Sequence, residues 1–225
     1  MIRADKTLRS WMREYMNTPI TEGGVFKNDW IKFKPVLPLN QYEYLIVYAD
    51  PSWKATSGSD HKAVVLLGKK GKELHRIKVF NRQATVGTMV RYMYDLYESV
   101  DFHRARKPFN FKMDAPVTVD FWIEANANQD LHLEDFAEEG EIRGYQLPIR
   151  PDYRTKPDKY SRIEAISPYY ERGFVFANED EREDPDMLRS NEHMLAFEQG
   201  SKSPDDELDA QEGAIYYAQR ITRSM

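Results

Sequence analysis

Residues 44–50, YLIVYAD, form a nearly continuous run of apolar and β-prone side chains that ends at an acidic residue. Such a run is typical of a central strand that is buried on both faces of its sheet. Two further apolar runs follow at 63–67 and 74–80, joined by a Lys-Lys-Gly-Lys turn at 69–72. The three runs predict a sheet that starts with three antiparallel strands.

The chain beyond this hairpin alternates between helical and extended patterns. Residues 85–103 carry apolar side chains at helical spacing and predict a helix, and the run at 117–123 predicts a strand that leads into Glu124. The other predicted elements are helices over 131–139, 156–172, 185–198 and 207–220 and strands at 145–149 and 174–176. This order predicts an α/β domain with a mixed sheet whose first three strands are antiparallel.

The first 40 residues differ from the rest. Residues 1–17 have apolar side chains at helical spacing and predict a short helix. The stretch that follows, up to Leu39, is rich in proline and contains Gly-Gly, which predicts an irregular extended chain. We expect residues 1–40 to be a lead-in that tethers the chain to something upstream, or alternatively a peripheral strap, and residues 41–225 to form one domain.

Composition narrows the class of protein. At 225 residues, with 41% hydrophobic and 31% charged side chains, the chain can bury one good core and has the composition of a soluble globular protein. No apolar run approaches the roughly 20 residues that cross a bilayer. The sequence contains no cysteine and no HExxH motif, which excludes thiolate zinc sites and zinc enzymes of the HExxH type. A bound metal would therefore need carboxylate ligands, which suit Mg²⁺ or Mn²⁺.

The net charge of −5 lowers the expectation of nucleic-acid binding, because phosphate contacts rely on lysine and arginine. The charge is unevenly distributed, however. Acidic residues concentrate in 179–186 and 205–209, whereas 143–162 carries six basic residues. Divalent metals at a carboxylate site would also offset local negative charge. Net charge therefore does not exclude a DNA-binding role.

Acidic side chains occur at three places from which they could converge. Asp50 ends the first predicted strand, Glu124 ends the fourth, and Asp205, Asp206 and Asp209 open the last helix. Each has a structural alternative, because Asp before Pro starts turns and acids are favoured at helix N-termini. Ligands of α/β sheets gather beyond the carboxyl ends of strands, and converging carboxylates repel one another unless a cation lies between them. Together the three segments predict a divalent-metal site of the kind that phosphodiester cleavage uses.

Three sequence segments resemble the acidic motifs of phage terminase nuclease domains: YLIVYADPSW at 44–53, FWIEANAN at 121–128 and SPDDELDAQEGA at 203–214. The third, with its DDxxDA pattern, is the most specific. The lead-in segment at 13–33 also resembles the family's connection between motor and nuclease, and KPDKYSRIEAISPYYERGFVF at 156–176 is similar to another family stretch. The resemblance therefore spans nearly the whole chain.

This resemblance implies an RNase H-like fold, with three α/β/α layers around the mixed sheet. It further implies that Asp50, Glu124 and Asp209 are catalytic metal ligands, with Asp206 as a fourth and Asp205 either as a ligand or orienting one. Spacing does not settle which of the three aspartates contacts the metal directly. The implied cofactor is Mg²⁺ or Mn²⁺ in a two-metal site.

Basic residues near these motifs are candidates for DNA contacts. Lys156, Lys159 and Arg162 recur at spacing three, which predicts that they share one side of a helix and could hold phosphates beside the metals. A solvated helix face is the structural alternative. Lys54, just after the first motif, could reach a DNA backbone, whereas a hairpin role is favoured for Asp60.

The resemblance implies an endonuclease that cuts concatemeric double-stranded DNA during phage packaging, in the cytoplasm of the bacterial host. The chain has no GxxxxGK[ST] phosphate loop, so we expect the ATPase motor upstream, with the portal and the small terminase subunit as further partners. Two alternatives stay open. One is a resolvase- or transposase-type nuclease, and the other is a non-catalytic docking module that uses the charged segments at 179–186 and 143–162.

Overall fold

Seven strands form one mixed sheet in the computed structural model, which describes residues 24–52, 61–125, 130–200 and 204–220. In chain order the strands are β1 (Lys32–Lys34), β2 (Tyr44–Asp50), β3 (His61–Lys70), β4 (Glu73–Gln83), β5 (Val119–Glu124), β6 (Ile149–Asp152) and β7 (Val175–Asn178). Their order across the sheet is β1-β7-β4-β3-β2-β5-β6. β2, β3 and β4 are antiparallel, whereas β5 and β6 extend one edge in parallel with β2, and β7 and β1 extend the other in parallel with β4. The predicted α/β class with a mixed sheet is confirmed.

Helices cover both faces of this sheet. They are α1 (Val86–Val100), α2 (Asp130–Arg143), α3 (Lys159–Glu164), α4 (Ser167–Glu171), α5 (Pro185–Leu195) and α6 (Asp206–Arg220). Side chains of a strand point alternately to its two faces. Ile46 and Tyr48 accordingly pack with residues of α3, α4 and α6, whereas Leu45, Val47 and Ala49 pack against α1. Burial on both faces explains why the 44–50 run is continuously apolar, and it gives the predicted three-layer α/β/α arrangement.

Two predicted elements differ from the observed ones. The single helix expected over 156–172 is divided into α3 and α4, because Pro168 has no N–H to donate to the carbonyl group of Glu164. The strand expected at 145–149 lies instead at Ile149–Asp152. That strand contains Pro151, and it is tolerated there because β6 lies at the edge of the sheet. The helix predicted over 1–17 lies outside the described residues.

Part of the lead-in belongs to the fold. Phe26 and Leu39 are almost completely buried, and β1 pairs with β7 at one edge of the sheet. Residues 24–40 thus pack on the domain, while an upstream motor stays a prediction. Among the described residues, no helix has the length and apolarity that crossing a membrane would require.

Candidate metal centre

The sheet places two carboxylates side by side. β2 and β5 are parallel neighbours, and their register pairs Ala49 with Ile123. The next residue on each strand is the last one, Asp50 on β2 and Glu124 on β5. Because parallel strands end at the same edge of a sheet, the two side chains extend into the same space beyond it.

Helix α6 brings the third carboxylate. Leu208, Ala210 and Ala214 of this helix are buried in the core cluster that contains Ile46 and Tyr48, and Gly213 lies so close to β2 that a Cβ atom there would overlap the Tyr48 ring. This close approach places the first turn of α6 over the carboxyl ends of the strands. One oxygen each from Asp50, Glu124 and Asp209 lies within 4.8 Å of the other two.

The other two aspartates lie at the start of the same helix. Asp206 is buried, and its carboxylate lies 3.4 Å from Lys159 Nζ. Asp205 is about one-third exposed, and its Oδ1 lies 2.7 Å from the same ammonium nitrogen. Asp209 therefore lies with Asp50 and Glu124, whereas Asp205 and Asp206 flank that trio around Lys159. The roles of all five as ligands stay predictions.

The electrostatics of the trio fit a cation. Burial and the neighbouring charge of Glu124 raise the pKa of Asp50 from 3.8 to about 7, although Lys159 opposes the rise. Glu124 Oε2 is buried and pairs with the ammonium group of Lys156 at 3.0 Å. Several buried carboxylates that share one space are costly unless cations neutralise them. Oxygens that ligate one Mg²⁺ at about 2.1 Å lie roughly 3–4 Å apart, so small side-chain rotations would close this trio around an ion.

The three predicted DNA-binding cations face this acidic centre. Lys156 precedes α3 rather than lying on it, so the prediction that all three share one side of a helix is wrong. Residues 153–158 are neither helix nor strand, and Asp158 caps α3. Lys156 Nζ lies 3.0 Å from Glu124 Oε2, and Arg162 donates to both carboxylate oxygens of Asp209. None of the three lies on a purely solvated face: their side chains are 11–33% exposed.

Asp152, which sequence reasoning missed, ends the third parallel strand beside Glu124. It accepts hydrogen bonds from the hydroxyls of Tyr48, at 2.6 Å, and Tyr217, at 2.9 Å. Arg154 Nε binds both of its oxygens at 2.8–3.0 Å. Burial would raise the pKa of Asp152, but these hydrogen bonds hold it below its usual value. Asp152 thus connects β6 to β2 and α6. The sequence could have indicated Asp152 as an acidic residue at the end of a strand. The strand was instead predicted at 145–149, which ends before Asp152.

The two charged segments, 179–186 and 143–162, are largely neutralised within the domain. Their ion pairs join Arg182 to Glu179, Lys78 to Glu181 and Asp184, Arg82 and Arg189 to Asp186, Arg143 to Asp95, Glu98 and Glu139, Arg150 to Asp120, and Arg154 to Asp152 and Glu212. The docking interpretation relied on these charges as partner contacts, and most of them already have partners inside the domain. Lys54 and Asp60 lie outside the described residues.

Comparisons with known proteins were made by sequence and by structure. No protein-family model matches the chain, and no curated protein matches its sequence. Among solved structures, the P22 large terminase nuclease domain superposes with a TM-score of 0.58 at 14% identity, covering 88% of this chain and 95% of that one. The human cytomegalovirus terminase nuclease domain gives a TM-score of 0.56 at 14% identity, covering 84% of this chain and 90% of that one.

A longer protein shows the same similarity. The large terminase of a thermophilic bacteriophage superposes with a TM-score of 0.51 at 12% identity, and the match covers 96% of this chain but 52% of that one. The chain therefore has the fold of terminase nuclease domains. The RNase H-like architecture, which was predicted from the resemblance of the acidic motifs, is confirmed at the level of the fold.

Proposed function

We propose that this chain is the nuclease domain of a phage terminase large subunit and cuts concatemeric double-stranded DNA by metal-dependent phosphodiester hydrolysis. The observation that carries the proposal is the trio of Asp50, Glu124 and Asp209, whose carboxylate oxygens lie within 4.8 Å of one another. The trio lies at the carboxyl edge of a sheet with the fold of terminase nuclease domains. Fold alone does not define activity, so the site carries the argument.

The residues present suit hard divalent cations. Asp50, Glu124 and Asp209 would hold one ion, and Asp206, buried at the start of the same helix as Asp209, would be a further ligand for a second. When bound, two such ions activate a water and stabilise the leaving oxygen of an in-line displacement. The physiological ion would be Mg²⁺ or Mn²⁺, and a Mn-soaked structure of the cytomegalovirus domain is among the similar structures.

The protein side chains around the ions would position the DNA. Lys156, Lys159 and Arg162 surround the carboxylates within 4 Å and supply the positive charge that phosphate oxygens need. Asp152 would keep Tyr48 and Arg154 in place behind Glu124. In the full packaging machine we propose an ATPase motor in the same polypeptide, with the portal and the small subunit as partners, in the host cytoplasm.

Nicking of supercoiled plasmid by the chain in Mn²⁺ or Mg²⁺ tests the proposal. We expect Asp50→Ala and Glu124→Ala each to reduce the nicking rate by roughly a hundredfold or more, because each removes a ligand of the ion that stabilises the transition state. Asp120→Asn is the matched control. Asp120 lies on the same strand as Glu124 but does not belong to the trio. Its carboxylate pairs with Arg150 at a distance of 3.0 Å.

Three outcomes would contradict the proposal or change it. Metal-dependent nicking retained by both variants would show that the trio is not the active centre. The absence of Mn²⁺ binding in calorimetry, both with and without DNA, would favour a non-catalytic docking module. Selective cutting of branched DNA, with linear and supercoiled duplexes left intact, would favour a resolvase-type enzyme.

A further inference from the structure

The cations predicted to bind DNA are the same groups that occupy the carboxylates predicted to bind metal. Lys159 Nζ lies 2.7 Å from Asp205, 3.4 Å from Asp206 and 3.5 Å from Asp209. Arg162 donates to both oxygens of Asp209 and lies 3.7 Å from Glu212. Each side chain can engage carboxylates or phosphates, and the three donors of the Lys159 ammonium group already face three carboxylates.

These pairings oppose the entry of a divalent ion. An ion ligated by Asp209 would lie within a few ångströms of Lys159 and Arg162, and like charges at such distances repel strongly in a partly buried site. The carboxylates in turn hold the two cations away from the backbone of an approaching duplex. Metal-free protein therefore has a site in which ligands and phosphate contacts block one another.

The side chains differ in how readily they can leave. Lys159 is one-third exposed, lies at the first residue of the six-residue helix α3 and has a flexible stem. Arg162 lies one turn later and faces the pocket between α3 and α6, which is also lined by Ser161, Tyr169 and Tyr216. Lys156 lines the same pocket, but its partners are Glu124 and the Tyr48 hydroxyl, which belong to the sheet. Lys159 and Arg162 are thus the two cations that pair with the carboxylates of α6.

We propose that Lys159 and Arg162 exchange the carboxylates for DNA phosphates when divalent ions bind, which makes metal binding and DNA binding mutually reinforcing. The proposal rests on the proposed nuclease function. Without DNA, the two cations compete with the metal; with DNA, they lie on the phosphates and the carboxylates are free. Thermodynamic linkage requires that metal raise the affinity for DNA by the same factor by which DNA raises the affinity for metal.

The test measures binding rather than cleavage. Mn²⁺ affinity is measured by calorimetry on DNA-free protein, and the affinity for a short fluorescent duplex is measured by anisotropy with and without Ca²⁺. For Lys159→Gln together with Arg162→Gln, we expect Mn²⁺ to bind about tenfold more tightly than in the wild type, because two competing positive charges are gone. We also expect the wild type to gain about tenfold in duplex affinity on adding Ca²⁺ and the double variant to lose most of that gain.

Controls separate competition from other roles. Arg150→Gln removes the same charge from a residue that pairs with Asp120, and it should leave Mn²⁺ affinity unchanged. Lys159→Arg keeps the charge and should restore wild-type coupling. If the double variant does not fold, Lys159→Gln alone should still bind Mn²⁺ more tightly than the wild type.

Unchanged or weaker Mn²⁺ binding in the variants would overturn the exchange, because the cations would then orient the ligands instead of competing with the ion. That result leaves the proposed nuclease function standing. A wild type that binds no Mn²⁺ either alone or with the duplex present would instead overturn the proposed function itself, and the exchange with it.

Discussion

Helix α6 carries two charged clusters on different sides of its first two turns, and they are built in opposite ways. On one side, Asp206 and Asp209 join the candidate metal centre. On the other, Glu207 is fully buried. Both of its carboxylate oxygens accept hydrogen bonds from Gln211 Nε2 at 2.8 Å, and its carboxylate lies 4.0 Å from Arg76. Arg76 also donates to the side chains of Asn191, at 2.9 Å, and Ser190.

The difference lies in charge balance and access. The Arg76–Glu207 cluster contains one cation and one anion, and both side chains are essentially inaccessible to water. The candidate metal centre gathers five carboxylates and three cations, and its Lys159 side chain is 33% exposed. A balanced and inaccessible pair fixes the position of a helix, whereas an acidic excess beside a partly exposed lysine is the arrangement that our proposed ion binding requires. Four predictions test this contrast.

The largest expected effect on stability comes from breaking the balanced pair. Arg76→Met leaves Glu207 buried without its cation, and we expect a loss of about 3–5 kcal/mol in the free energy of unfolding. Urea denaturation followed by circular dichroism measures it. Replacing both partners, in Arg76→Met with Glu207→Leu, should be much less costly, because no buried charge is then uncompensated. A loss below about 1 kcal/mol in the single variant would mean that water reaches Glu207 and that the two clusters are not opposites.

The next largest effect should come from Asp50→Asn. Its effect on stability should change sign between metal-free protein and protein saturated with Mn²⁺. The folded-state pKa of Asp50 is raised from 3.8 to about 7, so folding favours its protonated form and stability falls as pH rises between those values. In metal-free protein we expect Asp50→Asn to be more stable than the wild type above about pH 7, by roughly 2–4 kcal/mol. Near pH 4 the two should converge, because Asp50 is then protonated in the folded wild type.

Thermal denaturation in a chelator across this pH range measures the effect. Saturating Mn²⁺ is the matched condition, and there the order should invert, because the ion stabilises the protein that binds it more tightly. A wild type that is more stable than Asp50→Asn at every pH in the chelator would show that the carboxylate is stabilised by its protein neighbours alone.

The same contrast explains what the sequence could and could not predict. The run at 44–50 is apolar on both faces and Glu124 follows a similar run, so burial and strand ends were visible locally, and so was the acidic start of α6. Asp152 and Glu207 could not be assigned in this way. Asp152 follows a proline in a four-residue edge strand, and the partner of Glu207 is Arg76, which is 131 positions away in the sequence. Such pairings depend on tertiary packing and leave no periodic pattern.

The sequence also did not predict which groups the basic side chains contact. Spacing alone placed Lys156, Lys159 and Arg162 on one helix face that could meet DNA, and nothing local indicated that they would already contact the acidic motifs. The contact arises because α3 packs beside α6, with Ile163 buried in the same core cluster as Leu208. Local pattern thus indicated which charged residues could form a site, but not the partners that they have in the folded domain.

A smaller effect should come from the spacing between α6 and the sheet. Gly213→Ala would place a Cβ atom into the Tyr48 ring, which is itself fully buried and hydrogen-bonded to Asp152. We expect a loss of about 1–3 kcal/mol from overpacking, together with weaker Mn²⁺ binding, because Asp209 lies one turn earlier on the shifted helix. Gly140→Ala is the matched control, since its new Cβ meets only the end of the Gln146 side chain, which can move aside. Equal losses in both variants would mean that the approach of α6 to β2 is not tight.

The smallest effect on stability should come from a substitution at Lys159. The Lys159 side chain is 33% exposed, so solvent screens its pairings, and we expect Lys159→Gln to change the free energy of unfolding by less than about 1 kcal/mol in metal-free protein. Arg76 has a comparable number of polar contacts but no exposure to solvent, so the two substitutions compare the same charge in two environments. Urea denaturation of both variants in one chelating buffer makes the comparison. A loss at Lys159 as large as that at Arg76 would mean that this lysine holds α3 to α6. Because exchange requires the lysine to leave its carboxylates at little cost, a small loss is the condition under which metal and DNA can share it.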